Sequence, residues 1–498
     1  MHITLKSFSM FMFQLMTTAF VILAFGCSNN KTETAKSEIA RFLWSKKNQA
    51  EANIKILNQF GEPIPQAQIL IGQTNGNPFK GNFLTTDKSG SASVPANWTT
   101  QEHVTVDAAG YIRHTLLNQN PGDIVIKLNP LYIANRPEIK GKVSGLPVNN
   151  GDKLIDFALV IPAMTRGDLL NFDLNTVISP YSDTIKVIGQ EAKIPGNVSL
   201  PTQKESYIFP ITLSKPIYRL TSTNLGSKRF FAVRGQFPFK KVIDELQAGK
   251  QFYDLVNYFS IQGGGMRDIT LSNPITTLDI PANELAFAAK IKTQPATAAN
   301  DEVLMVVAVS EVANTLVPTD IKKYTGENTL SMSTLANSKA YIVNVIKRQA
   351  DFDSAATNAS GADRVSAGLS PHNETIKPLL LPLIESPSIT TVAGFNINLP
   401  AKPILSGINA VATSAAISDL VKIQNGAETI TNVNRRWEII GLGWEQNIQL
   451  PNWPLNGETS AQRRLEINFI GSTSHQNVKL DDSLIESATH VTHASTDF

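Results

Sequence analysis

The chain carries a single cysteine, Cys27, among 498 residues. The region that follows it therefore has no disulfide, no cysteine-built zinc site and no thiol nucleophile, and its stability rests on buried apolar area. Charge is scarce as well: charged residues make up 17%, against about a quarter in an ordinary domain. The 44 basic and 42 acidic residues nearly cancel to a net +2, which argues against an electrostatic surface for nucleic acid. Histidine numbers only seven. No Gly-x-Ser-x-Gly elbow, no His-Glu-x-x-His and no Ser-x-x-Lys in a helical context occurs, so the familiar hydrolase signatures are missing. That leaves open only a triad assembled from residues distant in sequence.

What is present begins with Phe8–Cys27, an apolar run broken by Gln14, Thr17 and Thr18 and preceded by Lys6. A charged start, a short apolar core and a small residue before a cut describe an export signal. The uninterrupted part, Ala19–Phe25, is short for a span that needs about 20 apolar residues. Leu23-Ala24-Phe25-Gly26-Cys27 resembles the signal of a bacterial lipoprotein, although Ala24 and Phe25 depart from the usual leucine and small residue. The resemblance implies cleavage of residues 1–26 and lipidation of Cys27, whose thiolate accepts the lipid as a thioether. Ser28 in place of aspartate implies the outer membrane. Two or more acyl chains would make a stable anchor. Residues 27–50 read as a polar tether; a flexible 28–50 would reach on the order of 25 Å.

Beyond the tether, short alternating runs separated by turn residues predict a mainly β, multi-domain chain of Ig-like or transthyretin-like sandwiches with a short helical insertion. Its length suits about three to five domains. In residues 51–129, Ile54–Ile56, Ala67–Ile71, Val104–Val106 and Ile124–Leu128 alternate, and Asp87-Lys88-Ser89-Gly90 forms a turn. Together with Gly61-Glu62-Pro63-Ile64 and Ala109-Gly110-Tyr111, they resemble a carboxypeptidase regulatory-like module. Bacterial invasin-type Ig modules share much of this pattern. The resemblance implies a spacer or binding domain without catalysis of its own, with Tyr111 packed at a sandwich corner.

Residues 137–272 read as a second β-rich domain whose apolar positions in Val242–Tyr258 predict one or two short helices. A third domain spans 273–386, with strands at Asp301–Val312 and Ala340–Lys347, turns at Pro318 and Gly326, and an exposed loop over Asp351–Pro371. In 387–498, Arg435–Ile440 and Arg464–Phe469 alternate strictly and are expected to pair, with a frayed tail at the end. Ile194-Pro195-Gly196-Asn197 and Ile280-Pro281-Ala282-Asn283 form a weak internal echo.

Few residues suggest chemistry. Gly76–Gly81 has P-loop glycine spacing but lacks the lysine and hydroxyl, and Gly263-Gly264-Gly265 reads as a turn. Asp351, Asp353 and Asp363 offer oxygens for calcium without EF-hand spacing, and a solvated loop is the plainer reading. Trp437, Trp444 and Trp453 offer ring faces for a glycan, although their place in alternating strands favours a core role. His103 with His114, and His490 with His493, have no evident third metal ligand. No catalytic residue, cofactor or firm metal site is expected. The resulting expectation is a non-enzymatic lipoprotein of the cell envelope, presenting sandwiches to an envelope protein or surface polymer. The rival is an envelope hydrolase or glycan-processing factor that merely carries an Ig-like module.

Overall fold

A computed structural model describes residues 52–72, 83–131, 137–147, 154–164, 182–187, 190–200, 211–212, 217–222, 226–250, 252–271, 275–354, 364–391, 395–425, 428–451, 462–474, 480, 484 and 487–498. The protein is mainly β, with two short α-helices among these residues. No described helix is long and apolar enough to cross a membrane.

The first unit comprises β1 (Asn53–Asn58), β2 (Gln68–Ile71), β3 (Leu84–Thr85), β4 (Ser91–Ser93), β5 (Glu102–Asp107), β6 (Arg113–Gln119) and β7 (Ile124–Leu128). One sheet runs β4-β1-β7, and facing it lies the row β3-β2-β5-β6. Ile54, Ile56, Ile124 and Ile126 from one side meet Ile69, Val104, Val106 and Leu116 from the other. These are the period-two residues of the sequence, whose alternation puts apolar side chains on one sheet face. Asp87 Oδ1 accepts the N–H groups of Ser89 and Ser91. The Asp87 carboxyl is held below its usual range, first by the Ser89 hydroxyl. Gly90 follows at φ +72°, where a Cβ would meet the Ile56 carbonyl at 2.5 Å, so only glycine closes this turn.

The middle of the chain adds β8 (Glu138–Ser144), β9 (Ile155–Pro162), β10 (Ser182–Val187), β11 (Gln190–Pro195), β12 (Val198–Ser199), β13 (Ile211–Thr212), β14 (Ile217–Thr221) and β15 (Gly226–Phe237). After α1 (Phe239–Gln247) and two 3₁₀ turns come β16 (Ser260–Leu271), β17 (Ile275–Thr277), β18 (Ile280–Pro281), β19 (Leu285–Ala286) and β20 (Ala289–Thr293). The sheet β12-β9-β15-β16-β19 packs on β14-β8-β17 through Ile139, Tyr218, Leu220, Phe230 and Ile280. The helical insertion lies where apolar spacing placed it. Gly263-Gly264-Gly265, expected as a turn, sits inside β16. A Cβ at Gly265 would stand 1.7 Å from the Pro281 carbonyl, and one at Gly263 2.4 Å from that of Leu285. The glycines are there because neighbouring backbone comes too close for a Cβ: that of Pro281 over Gly265, and those of the flanking strands at Leu285 and Ala232 against Gly263 and Gly264.

The remainder holds β21 (Glu302–Val312), β22 (Thr315–Lys323), β23 (Leu330–Thr334), β24 (Ala340–Arg348), α2 (Gln349–Ser354), β25 (Arg364–Pro371), β26 (Ser388–Thr390) and β27 (Phe395–Asn398). It ends with β28 (Asn409–Asn425), β29 (Glu428–Leu442), β30 (Asn447–Leu450), β31 (Arg463–Ser472) and β32 (His490–Asp497). Most of them join a twelve-stranded sheet ordered β22-β21-β24-β25-β32-β31-β28-β29-β6-β5-β2-β3, while β23 pairs with β20 and β26-β27-β30 form a small sheet of their own. The twelve-stranded sheet thus joins the first unit to the last through parallel pairing of β6 with β29, Arg113 opposite Trp437 and His114 opposite Glu438. A large core lies between this sheet and the outer face of β9 and β15, where Leu159, Ile161 and Phe231 meet Val307, Val343, Ile470 and Val491.

Four local expectations are corrected here. The terminal residues do not fray: β32 runs between β25 and β31, and Val491 and Ala494 are buried. Residues 364–371 form a buried strand rather than an exposed loop, because Val365, Ala367 and Leu369 alternate into the large core. Pro318 lies within β22, an edge strand that bulges beside it at Thr319. An edge tolerates the missing N–H, and the hairpin turn is made instead by Ala313 and Asn314 at positive φ. Finally, β29 and β31 do not pair with each other; both flank β28.

Candidate functional site

An open cleft of about 770 Å³ lies at the β2–β3–β5 edge of the first sandwich. Its rim is the segment Pro95–Gln101, between β4 and β5. Trp98 anchors this segment: the ring is buried in the sandwich core, its Nε1 donates to the Thr100 carbonyl at 2.7 Å, and its backbone N–H returns to Pro95. With the indole inside, its neighbours Asn97, Thr99, Thr100 and Gln101 stand exposed on the rim. Ile71, Phe83 and Leu84 form a half-buried apolar shelf opposite.

His103 and Asn118 close one end. The Asn118 N–H donates to His103 Nδ1 at 3.1 Å, so the neutral ring carries its proton on Nε2. Burial lowers the His103 pKa, while the nearby carboxylates of Glu445 and Glu102 pull the other way. Asn118, itself at φ 51°, donates its side-chain amide to Glu445 Oε1 at 2.9 Å. This end is therefore tied across to the turn after β29. Among the described residues no lysine or arginine lines the cleft, and Glu102 is the one acidic lining residue.

A second polar constellation crosses the middle of the twelve-stranded sheet. On β29, Glu438 lies 3.6 Å from His114 Nδ1 and 3.6 Å from Arg435. Arg435 also lies 3.6 Å from Glu466 of β31. Asn129 donates to Glu438, and Asn468 bridges His493 and Ser414 in the next row. Burial pushes the Glu438 carboxyl up, but His114, Arg435 and Asn129 together hold it below its ordinary range. An ionised, cation-paired carboxylate is poorly suited to donate a proton, since a general acid needs its pKa raised. On the opposite face Asp419, almost fully buried, is clasped by Arg436 and Arg463.

The residues singled out from sequence fall into different settings. Cys27, Trp453, Asp363 and Gly76–Gly81 lie outside the described residues, as does the side chain of Asp353. Asp351 is buried, and both its oxygens accept from Arg364, at 2.9 and 2.7 Å. Trp437 is fully buried, with its Nε1 on Thr115 Oγ1 at 2.8 Å and the Arg113 guanidinium 4.7 Å above its ring. Trp444 is buried and donates to the Ile470 carbonyl. Both indoles therefore serve the core, the role their strand positions favoured. His490 donates to the Leu379 carbonyl and accepts from the Thr489 hydroxyl. No group of three or more metal-ligating side chains occurs among the described residues. No binding role was read for Asn97, Gln101 or Asn118 in the sequence. Their signal was a polar run wrapped around one tryptophan, Asn97-Trp98-Thr99-Thr100-Gln101. No known family model matches this chain, and neither does any curated protein sequence.

Proposed function

We propose that the protein is an exported, lipid-anchored binding protein of the bacterial cell envelope, held at the outer membrane through Cys27. The signal-like run ending in Leu23-Ala24-Phe25-Gly26-Cys27 supports the anchor. The observation that carries the binding role is the cleft of about 770 Å³, whose rim side chains face solvent while the buried Trp98 keeps their backbone in place. A pre-formed recess of this size, edged by polar groups around an apolar shelf, suits recognition of a small ligand or a polymer segment. In this reading the first sandwich resembles a carboxypeptidase regulatory-like module used for binding. The proposed partner is an envelope component or surface polymer rather than nucleic acid.

Replacing Cys27 with serine should release the protein from membranes and abolish incorporation of labelled palmitate. Persistent membrane association with no palmitate label in the unsubstituted chain would sink the anchor. One observation favours the hydrolase reading instead: Glu438 and Glu466 flank Ala416 in register across β28. Their shared partner Arg435 keeps that pair in ionic use, which weighs against it. Hydrolase profiling of the soluble Cys27→Ser chain should be blank, and turnover lost on Glu466→Gln would replace the binding reading with the enzymatic one.

A further inference from the structure

We infer that the Pro95–Gln101 cleft takes an uncharged, hydroxyl-rich saccharide segment. This rests on the binding-protein reading and names its ligand. The first ground is chemistry. The exposed rim offers side-chain amides from Asn97 and Gln101 and hydroxyls from Thr99 and Thr100. Amides and hydroxyls present donors and acceptors together, the pairing that adjacent sugar hydroxyls need. Opposite them, Phe83, Leu84 and Ile71 form a half-buried shelf. The C–H face of a sugar ring packs on such a surface while its rim hydroxyls turn to the amides.

The second ground is charge. Among the described residues, Glu102 lines the cleft, Glu445 stands beside His103, and no lysine or arginine is in the lining. A phosphorylated, sulfated or uronic-acid polymer would meet the Glu102 carboxylate, which opposes binding. The third ground is rigidity. Trp98 fixes the rim through the Thr100 carbonyl, and the Asn118 N–H fixes the His103 ring. A site ordered before the ligand arrives loses less entropy on binding. A peptide adding to the sheet edge is the competing occupant. However, β3 is two residues long and offers that edge almost no ladder.

The test titrates the full chain carrying Cys27→Ser with malto-, cello-, laminari- and chito-oligosaccharides, and with a uronic-acid oligomer, by calorimetry. At least one neutral series should bind and the uronic acid should not. Asn97→Ala and Gln101→Ala should each weaken binding by roughly five-fold, and Phe83→Ala by roughly ten-fold. Thermal unfolding of the two exposed rim variants should match the parent, separating lost contacts from lost folding. Failure of every neutral series, preference for the uronic acid, or binding indifferent to all three substitutions would overturn the inference. Binding of an extended peptide that survives the amide substitutions would overturn it in favour of strand addition. Shortened sugars in the mixture would refute the non-enzymatic role yet leave the saccharide assignment standing.

Discussion

The cleft of the first sandwich and the polar row of the central sheet use polar side chains in opposite ways. In the central sheet, Arg435 is shared by two glutamates and His493 and Ser414 both bond to Asn468, while on the other face Asp419 is clasped by two arginines. These groups answer each other inside the fold. At the cleft, Asn97, Thr99 and Gln101 stand exposed above one buried indole. A charge already matched by its neighbours specifies pairing between strands. An exposed amide on a rigid frame is what a ligand meets.

The contrast should appear first in stability. Trp437→Ala removes a fully buried ring that contacts Arg113, Thr115 and Phe395, so it should cost about 3–5 kcal/mol in chemical denaturation. A cost below 1 kcal/mol would mean that the sheet centre tolerates a void. Next comes acid. Burial lowers the His490 pKa to about 4, against the help of its bond to the Leu379 carbonyl. Its contribution to stability is therefore complete above the ordinary 6.5 and is lost as pH falls from there towards about 4. The full span is worth about 3 kcal/mol, and His490→Gln should flatten that limb of the stability curve.

A smaller effect is expected at Glu438, whose carboxyl is held below the usual range. Such a group stabilises above the ordinary carboxylate pKa, and the gain disappears as pH falls through its own lower value. Glu438→Gln should lower stability at neutral pH by about 1 kcal/mol and reduce the difference from the parent below pH 4 or so. Smallest of all, Gln101→Ala at the exposed rim should shift stability by no more than about 0.5 kcal/mol. A larger loss there would show that the rim is part of the sheet's structure, and the comparison between the two regions would fail.

Legibility in the sequence divides along a related line. Ile54, Ile56, Ile124 and Ile126 announced the first sandwich because their partners in the fold are apolar residues of nearby strands with the same period. The Asp87–Gly90 turn was readable because its chemistry is local. In contrast, β28 carries Ala412, Ser414, Ala415, Ala416 and Ser418, too small and mixed to signal a strand. It became the spine between β29 and β31 through pairings with both. The strand β32 looked like a tail because its threonines, serines and histidines are polar. Their hydrogen bonds reach Pro382, Leu379 and Asn468, more than twenty residues away at the nearest. The cleft was missed for the same reason, since Phe83, Asn97 and Asn118 meet only when four strands are aligned.

By itself the sequence determined a disulfide-free chain of short strands, its β class, its helical insertion and the first sandwich, all consequences of local period and turn chemistry. Tertiary structure alone decided that strands from residues 68–119 and 302–497 share one sheet, that three glycines of one strand lie against neighbouring backbone carbonyls, and which polar groups face solvent. Backbone hydrogen bonds between strands carry no side-chain code. Their partners are chosen by the packing of the whole chain, and that choice leaves no mark at either position read alone.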